Sequence, residues 1–279
     1  MQSDYVQRFL FEELEIRGRL VCLGSSWRRM LEGRSYAPQV AALLGHAIAL
    51  GVLLGAGQKG ERRLTLQLHG DGPVKLVVAD CSAPLRIRGM ASFDAAGALP
   101  EGERELLGAG RIAITLEDGP SGRMYQSLVP LEGESLERAF ENYLSQSEQL
   151  PALLRLRVDA AALAGLLLEK LPGADRRDVD GWNRVTQLAA TLGRADAREA
   201  QPYALLTRLF PGELLRVFPL DPVQYHCPDD PEKVKRVLRG LGRDELESIL
   251  AERGEVVIRN EMCNLEYRFG AREIEALFA

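Results

Sequence analysis

The sequence predicts an α+β protein: a mixed strand-and-helix core domain over residues 1–172, an amphipathic helical linker over 173–222 and a small C-terminal helix–hairpin domain over 223–279. Three observations predict it. Short apolar/polar alternations separated by turn residues recur through the first part, the period of half-buried strands. After Pro172-Gly173 the apolar spacing becomes helical, with Gly and Pro as punctuation. From about Val223 two helix-period segments precede two short strand-period ones.

Within the core each element follows from local pattern. Val40 to Gly57 is interrupted only by His46 among apolar or small residues. Its length approaches that of a short membrane span. It is rich in Gly and Ala, begins just after Pro38 and has no comparable second segment, so a buried helix is predicted, and no membrane partner. Leu64-Thr65-Leu66-Gln67-Leu68 alternates, meets the turn Gly70-Asp71-Gly72-Pro73 and continues at Leu76-Val77-Val78. This predicts a hairpin with Leu64, Leu66 and Leu68 on its buried face. Leu85–Arg88, Ile112–Leu116 and Tyr125–Leu131 predict further strands. Leu136, Ala139, Phe140, Tyr143 and Leu144 fall at helical spacing behind Ser135, a candidate N-cap. Leu154–Val158 alternates again. The next run, Ala160 to Leu171, is open: its propensities favour helix, yet it fits a buried strand returning beside Leu154–Val158.

In the linker, Ala174 to Asp180 is dense in Asp and Arg, and Val179, Trp182, Val185, Ala189 and Leu192 then share one helical face. A second amphipathic segment follows Pro202 with Leu205, Leu206, Leu209 and Phe210, and Pro211-Gly212, Pro219 and Pro222 close the region. Such a pattern predicts a docked linker that few contacts hold. Trp182 and Phe210 could meet partner chains, but amphipathic linker aromatics more often pack on the neighbouring domain. In the last part, Val234, Val237, Leu238 and Leu241 carry helical spacing, and Asp244-Glu245-Leu246-Glu247 fits a capping pattern for a helix ending at Gly254. Val256-Val257-Ile258 and Leu265–Phe269 predict two strands with Asn260–Asn264 as their turn, and Ile274 and Leu277 mark a final helix. Cys263 therefore falls at a hairpin tip and Cys227 just before a helix.

Composition narrows the function classes. A chain of 279 residues with 46% hydrophobic content can bury a real core. A net charge of -5 argues against nucleic acid as the main partner. The start, Met1-Gln2-Ser3-Asp4-Tyr5 followed by Glu12 and Glu13, shows no signal-peptide pattern. The widely spaced Cys22, Cys81, Cys227 and Cys263 look like reduced thiols of a cytoplasmic protein. Cys22 and Cys81 sit in apolar, strand-like contexts and read as inert core residues. Gly55-Ala56-Gly57-Gln58-Lys59-Gly60 matches G-x-G-x-x-G, but it follows a helix and precedes a strand, the reverse of a dinucleotide site. His46 and His69 have no nearby partners that suggest catalysis. No nucleophile-elbow, Walker or zinc-protease motif appears, so no catalytic residue and no ATP site is expected.

Several segments in the right order resemble the heat shock protein 33 family, the redox-regulated bacterial holdase chaperones. They are Gln67-Leu68-His69-Gly70-Asp71-Gly72-Pro73, Glu132-Gly133-Glu134-Ser135-Leu136, the junction Ser147-Glu148-Gln149-Leu150-Pro151, and the helix Asp244 to Glu252. At the C-terminus the resemblance reaches Tyr225-His226-Cys227-Pro228-Asp229 and Asn260-Glu261-Met262-Cys263-Asn264. There the family carries a C-x-C and a C-x-x-C that hold zinc as four thiolates, a zinc-knuckle redox module. Here only Cys227 and Cys263 match, and Asp229 and Asn260 occupy the other two ligand positions.

The resemblance implies a chaperone, not an enzyme. It implies unfolded client proteins as partners, dimerisation on activation, and a switch in which oxidants form a disulfide within each cysteine pair and release zinc. With Asp229 and Asn260 in place neither short-range disulfide can form. Three readings of Cys227 and Cys263 follow. They are remnants of a lost site, leaving the small domain held by packing alone, which is the favoured reading. They form one disulfide, closing a loop worth about 4 kcal/mol. Or they bind a weaker metal with Asp229 and His226 or Asp230. Zinc binding is therefore doubtful and no cofactor is assigned. The expected activity is that of an ATP-independent holdase, constitutive or thermally released, with redox control weakened or lost. The alternatives are a thiol-based redox sensor built on Cys227 and Cys263, and a non-chaperone interaction module on the same fold.

Overall fold

The computed structural model describes residues 4–58, 60–95, 97–119, 121–147, 149–198 and 201–278. The first three residues, Lys59 of the glycine motif and Glu148 of the Ser147–Pro151 junction lie outside the described residues. Chain contacts divide into two units, Met1–His226 and Cys227–Ala279. The boundary expected near Val223 thus falls a few residues later.

The first unit starts with a hairpin of β1 (Tyr5–Phe11) and β2 (Ile16–Leu23), whose register sets Phe9 opposite Gly18. A short helix, α1 (Ser25–Leu31), follows. The buried Asp4 carboxylate starts it by accepting bonds from the Gly24, Ser25 and Ser26 amides at 2.6, 3.1 and 2.5 Å. These are amides that a helix start leaves without intrahelical partners. Helix α2 (Pro38–Gly55) is the apolar segment predicted to be buried. It is long and apolar enough to cross a membrane, but here it lies in the main core: Val40, Leu43, Leu44, Ala47, Leu50 and Leu53 are fully buried.

Strands β3 (Arg62–His69), β4 (Val74–Ser82) and β5 (Arg86–Phe93) form a meander. Leu64, Leu66 and Leu68 face the core as their alternation predicts. Helix α3 (Glu103–Leu107) leads to β6 (Arg111–Asp118) and β7 (Met124–Pro130), which extend the sheet from β3. Helix α4 (Leu136–Ser147) precedes β8 (Ala152–Val158) and β9 (Leu163–Lys170). The ambiguous run after Ala160 is therefore a strand, paired with β8 on one side and β2 on the other.

Two antiparallel-strand sheets result. One has the order β2–β9–β8 extended by β1, the other β5–β4–β3–β6–β7, with α2 packed between them. The sheet containing β9 is buried on both faces. Val21, Leu163 and Leu167 face α2, while Leu20, Leu166 and Leu168 face a second apolar cluster. A strand buried on both sides has no alternation to read, which is why the pattern of residues 160–171 leaves helix and strand open.

The second cluster is covered by the linker. Helices α5 (Ala174–Arg177) and α6 (Gly181–Ala189), a 3-10 turn at Arg194–Arg198 and α7 (Pro202–Leu209) lay Val185, Ala189, Leu192, Leu205, Leu206, Leu209 and Phe210 against it. Val179, placed on this face by its spacing, is 85% exposed because it precedes α6. The linker then ends in strands: β10 (Leu215–Val217) and β11 (Asp221–Pro222) pair with β1, and β12 (Gln224–Tyr225) pairs with β5 in parallel.

The second unit contains α8 (Pro231–Leu241), α9 (Arg243–Arg253), a hairpin of β13 (Val256–Asn260) and β14 (Leu265–Phe269), and α10 (Ala271–Leu277). Its core is Val234, Leu238, Leu246, Val256, Phe269, Ile274 and Leu277. Val237 and Leu241, expected on the buried face of α8, are exposed, because so small a core covers only a narrow stripe of the helix. Asp244 does not cap α9. It lies inside the first turn, where its charge complements the helix dipole, and Gly242 holds the N-cap position. The helix stops at Gly254, whose φ of 79° is the left-handed conformation glycine adopts without strain.

Candidate functional site

The second unit brings the two sequence candidates together: Cys227 and Cys263 form a disulfide with Cα atoms 5.5 Å apart across a separation of 36 residues. Two local structures position them. On one side Asp230 caps α8 by accepting the Lys233 amide at 2.9 Å, with Pro231 at the first helical position. This anchors Cys227 a few residues before the helix. On the other side the Cys263 amide turns back to the Asn260 carbonyl at 3.2 Å, and Asn264 takes a positive φ of 54°. That tight turn puts Cys263 at the hairpin tip, as its sequence position predicts. Cys263 is buried and Cys227 half-buried. The small unit is thus not held by packing alone.

Asp229 and Asn260 are engaged elsewhere. The Tyr267 hydroxyl donates to Asp229 Oδ1 at 2.7 Å, and this bond is the main cause that raises the Tyr267 pKa above its ordinary value. Asn260 Oδ1 accepts from the Cys263 amide at 3.3 Å. The metal reading of Cys227 and Cys263 with Asp229 and His226 or Asp230 gains no support. Both sulfurs are bonded to each other, and among the described residues no group of three or more His, Cys, Asp or Glu could hold an ion. A structural zinc wants four deprotonated N or S ligands, and the residues present do not fit it. His226 instead donates its amide to Ile87 in the first unit.

The remaining cysteines, Cys22 and Cys81, are buried and lie outside any disulfide. Burial, with the Asp80 charge beside it, pushes the Cys81 thiol up to about 12. A thiol so rarely ionised is inert. His46 on α2 pairs with Glu103 on α3, whose other oxygen accepts the Leu136 amide at 2.7 Å, so this histidine is structural.

A second feature is the apolar face beneath the linker. Phe9 and Phe11 of β1 meet Phe210 of the linker with centroids 6.0 and 4.9 Å apart. Phe210 is 1% exposed and Trp182 packs half-buried on the same cluster, so both linker aromatics pack against the apolar face of this sheet. Sequence reading missed the receiving face and the Tyr267–Asp229 bond. The apolar run of β9 was the available signal for the face. Nothing in the spacing pointed to Tyr267.

The model for a family described as Hsp33 protein matches residues 4–270. The chain belongs to the Hsp33 family. Its Hsp33 relatives include a 33 kDa chaperonin of Nitrosococcus oceani, 38% identical over 276 residues covering 99% of this chain and 94% of that protein. Another, from Methylobacillus flagellatus, is 35% identical over 279 residues with 99% and 94% covered. The crystal structure of an Hsp33 homologue from Thermotoga maritima superposes with a TM-score of 0.80 at 21% identity, covering 99% of this chain and 98% of that one. That likeness shows the same α+β fold. Hsp33 is a chaperone family and not an enzyme family.

Proposed function

We propose that this protein is an ATP-independent holdase that captures unfolding client proteins in the cytoplasm and keeps them from aggregating, and that oxidant-driven zinc release plays no part in its control. One observation carries the reading. The sheet of β1, β2 and β9 has a second apolar face, from Phe9, Phe11, Ile16, Leu20, Leu166 and Leu168, that short linker helices and a 3-10 turn cover. Helices of four, nine and eight residues have little stability of their own, so their cover depends on that contact. Lifting them exposes a large apolar surface of the kind unfolded chains bind.

The test is light scattering from a heat-unfolding client protein, with this protein added metal-free and without nucleotide. Suppression at near-stoichiometric ratios on warming is the expected result. No suppression at any temperature, in either redox state, overturns the reading in favour of a non-chaperone interaction module. The redox-sensor alternative keeps one supporting observation, that Cys227 and Cys263 meet in a disulfide. It is disfavoured because the exposed carboxylates of Asp229 and Asp230 lie beside Cys227 in sequence, where negative charge opposes thiolate formation.

A further inference from the structure

We infer that the cavity at the C-terminal end of α2 binds a small organic monocarboxylate with an apolar body, and that this occupant pins the end of the linker to β1. The site stands apart from the holdase reading, and only its effect on activity rests on that reading. The cavity holds about 310 Å³, within the roughly 300–1,000 Å³ of small-molecule sites. Its walls come from three places, all in the first unit. One is the glycine motif that closes α2, the second is the turn from β4 into β5 at Ser82–Leu85, and the third is Asp221–Pro222, where the linker pairs with β1 as β11. The motif set aside as a dinucleotide site thus lines a cavity of another kind. Two of its glycines serve packing: a Cβ at Gly55 would lie 2.7 Å from the Cys81 sulfur, and one at Gly57 would lie 2.9 Å from Arg19 Nη2. At Gly60, with a φ of 81°, a Cβ would meet nothing within 4 Å among the described residues, so the cavity is open on that side.

The lining selects the ligand. Its buried part is apolar, from Leu64, Cys81 and Leu85, and suits a hydrocarbon body. Among the described lining residues the charged ones are Arg8, Arg62 and Asp221. Arg8 Nε donates to Asp221 Oδ2 at 2.9 Å, so that pair is neutral. Arg62 donates to Gln58 Oε1 at 3.1 Å, and its nearest carboxylate, Asp118, stays 3.9 Å away. One loosely matched guanidinium is therefore left for an anion, and its fork fits a carboxylate. A phosphate dianion fits less well. It would bring two charges to one cation, beside Asp221 and the negative end of the α2 dipole. For a single charge that end is partly offset, because Arg19 Nη1 donates to the Leu53 carbonyl at 3.1 Å.

The same cavity reaches the linker. Strand β11 is two residues long, and the Arg8–Asp221 pair that accompanies it is half-buried, so its own hold on β1 is weak. A carboxylate on Arg62 that lays its body over Leu64 and Leu85 and against Pro222 joins β3, the β4–β5 turn and the last part of the linker. Occupancy then delays the lifting of the linker.

The experiment titrates the full chain with hexanoate and reads methyl-resolved NMR spectra, with hexylammonium and inorganic phosphate as comparison probes and Arg62→Gln as the variant. Hydrogen exchange over residues 215–222 and client aggregation are read with and without hexanoate. Expected are saturable shifts at the Ala56, Leu64 and Leu85 methyls with hexanoate and none with the other two probes. Arg62→Gln should lower the affinity by about tenfold to a hundredfold. Exchange over 215–222 should slow, and suppression of aggregation should begin at a higher temperature. Absence of saturable shifts, equal shifts with hexylammonium, or unchanged affinity in Arg62→Gln overturns the site. Shifts with phosphate alone overturn the class of ligand. Saturable binding with unchanged exchange overturns the pinning of the linker. Slower exchange with no suppression of aggregation under any condition upholds the site and overturns the holdase reading instead.

Discussion

Phe210 stands edge-on to Phe11, ring centroids 4.9 Å apart and planes at 84°. The last buried aromatic of the linker thus closes a cluster begun by the first strand of the chain. Truncating it tests whether linker release governs activity. Phe210→Ala removes a fully buried ring, which costs about 3–5 kcal/mol where the site cannot collapse. The cost falls on a segment whose own helices are short. Limited proteolysis across residues 173–213 is expected to accelerate, and aggregation suppression to begin at a lower temperature than in the parent. Unchanged cleavage with unchanged activity would separate the linker from function.

Gly18 lies opposite Phe9, and any Cβ there would fall within the Phe9 ring. Phe9 in turn touches Phe210. Gly18→Val should therefore loosen the linker from beneath without altering a linker residue, at a cost of about 1–3 kcal/mol from overpacking. Faster hydrogen exchange over 181–209 than in the parent, with exchange over 227–278 unaltered, is the expected pattern. A uniform loss of protection would mean that Gly18 serves the whole fold.

Asp80 sets an acid limit to stability. Its buried carboxylate accepts from Arg63 Nε at 2.7 Å and from Arg88 Nε at 2.8 Å. Burial alone would raise its pKa, but the bonds from Arg63 and Arg88 outweigh burial and hold the group below the usual carboxylate range. A lowered folded pKa contributes stability that is fully present above the unfolded value. That contribution is lost as pH falls from about 4 through the folded value. Asp80→Asn should cost about 2–3 kcal/mol at neutral pH, less than the roughly 3–5 kcal/mol of a wholly buried pair, since Arg63 is 42% exposed. Urea unfolding of parent and variant should converge as the pH is lowered. Curves that stay parallel would remove Asp80 from the acid response.

The Cys263 amide donates to the Asn260 carbonyl, so a tight turn already brings positions 260 and 263 together. Supplying the two missing sulfurs should therefore be enough to create a metal site. The reduced Asp229→Cys/Asn260→Cys protein is expected to retain about one zinc per chain through gel filtration, four thiolates being a sufficient set. The reduced parent is expected to retain none. Zinc retained equally by both would show that the two native sulfurs suffice.

Much of this was legible along the chain. Strands β3, β6 and β8 have one face on the core and show it as alternation. Helices α4 and α7 show it as helical spacing, and α2 as an unbroken apolar run. The sequence was silent where burial came from two directions or from too small a core. The strand at Leu163–Lys170 is apolar on both faces, so its period could not be read. Val237 and Leu241 have the spacing of a buried stripe that the small core never reaches. Val179 shares the periodicity of α6 but precedes its first turn.

The sequence by itself determined the fold class, the helical linker after Pro172-Gly173, the family resemblance and the loss of two of the four expected thiols. Those properties reside in residue type and near-neighbour spacing, which the chain carries wherever it folds. Only the tertiary structure decided that Cys227 and Cys263 meet, and that Phe210 closes on Phe9 and Phe11. Residues 36 positions apart, or as distant as Phe11 and Phe210, are joined by the packing of whole elements, and no local pattern records which of them will touch.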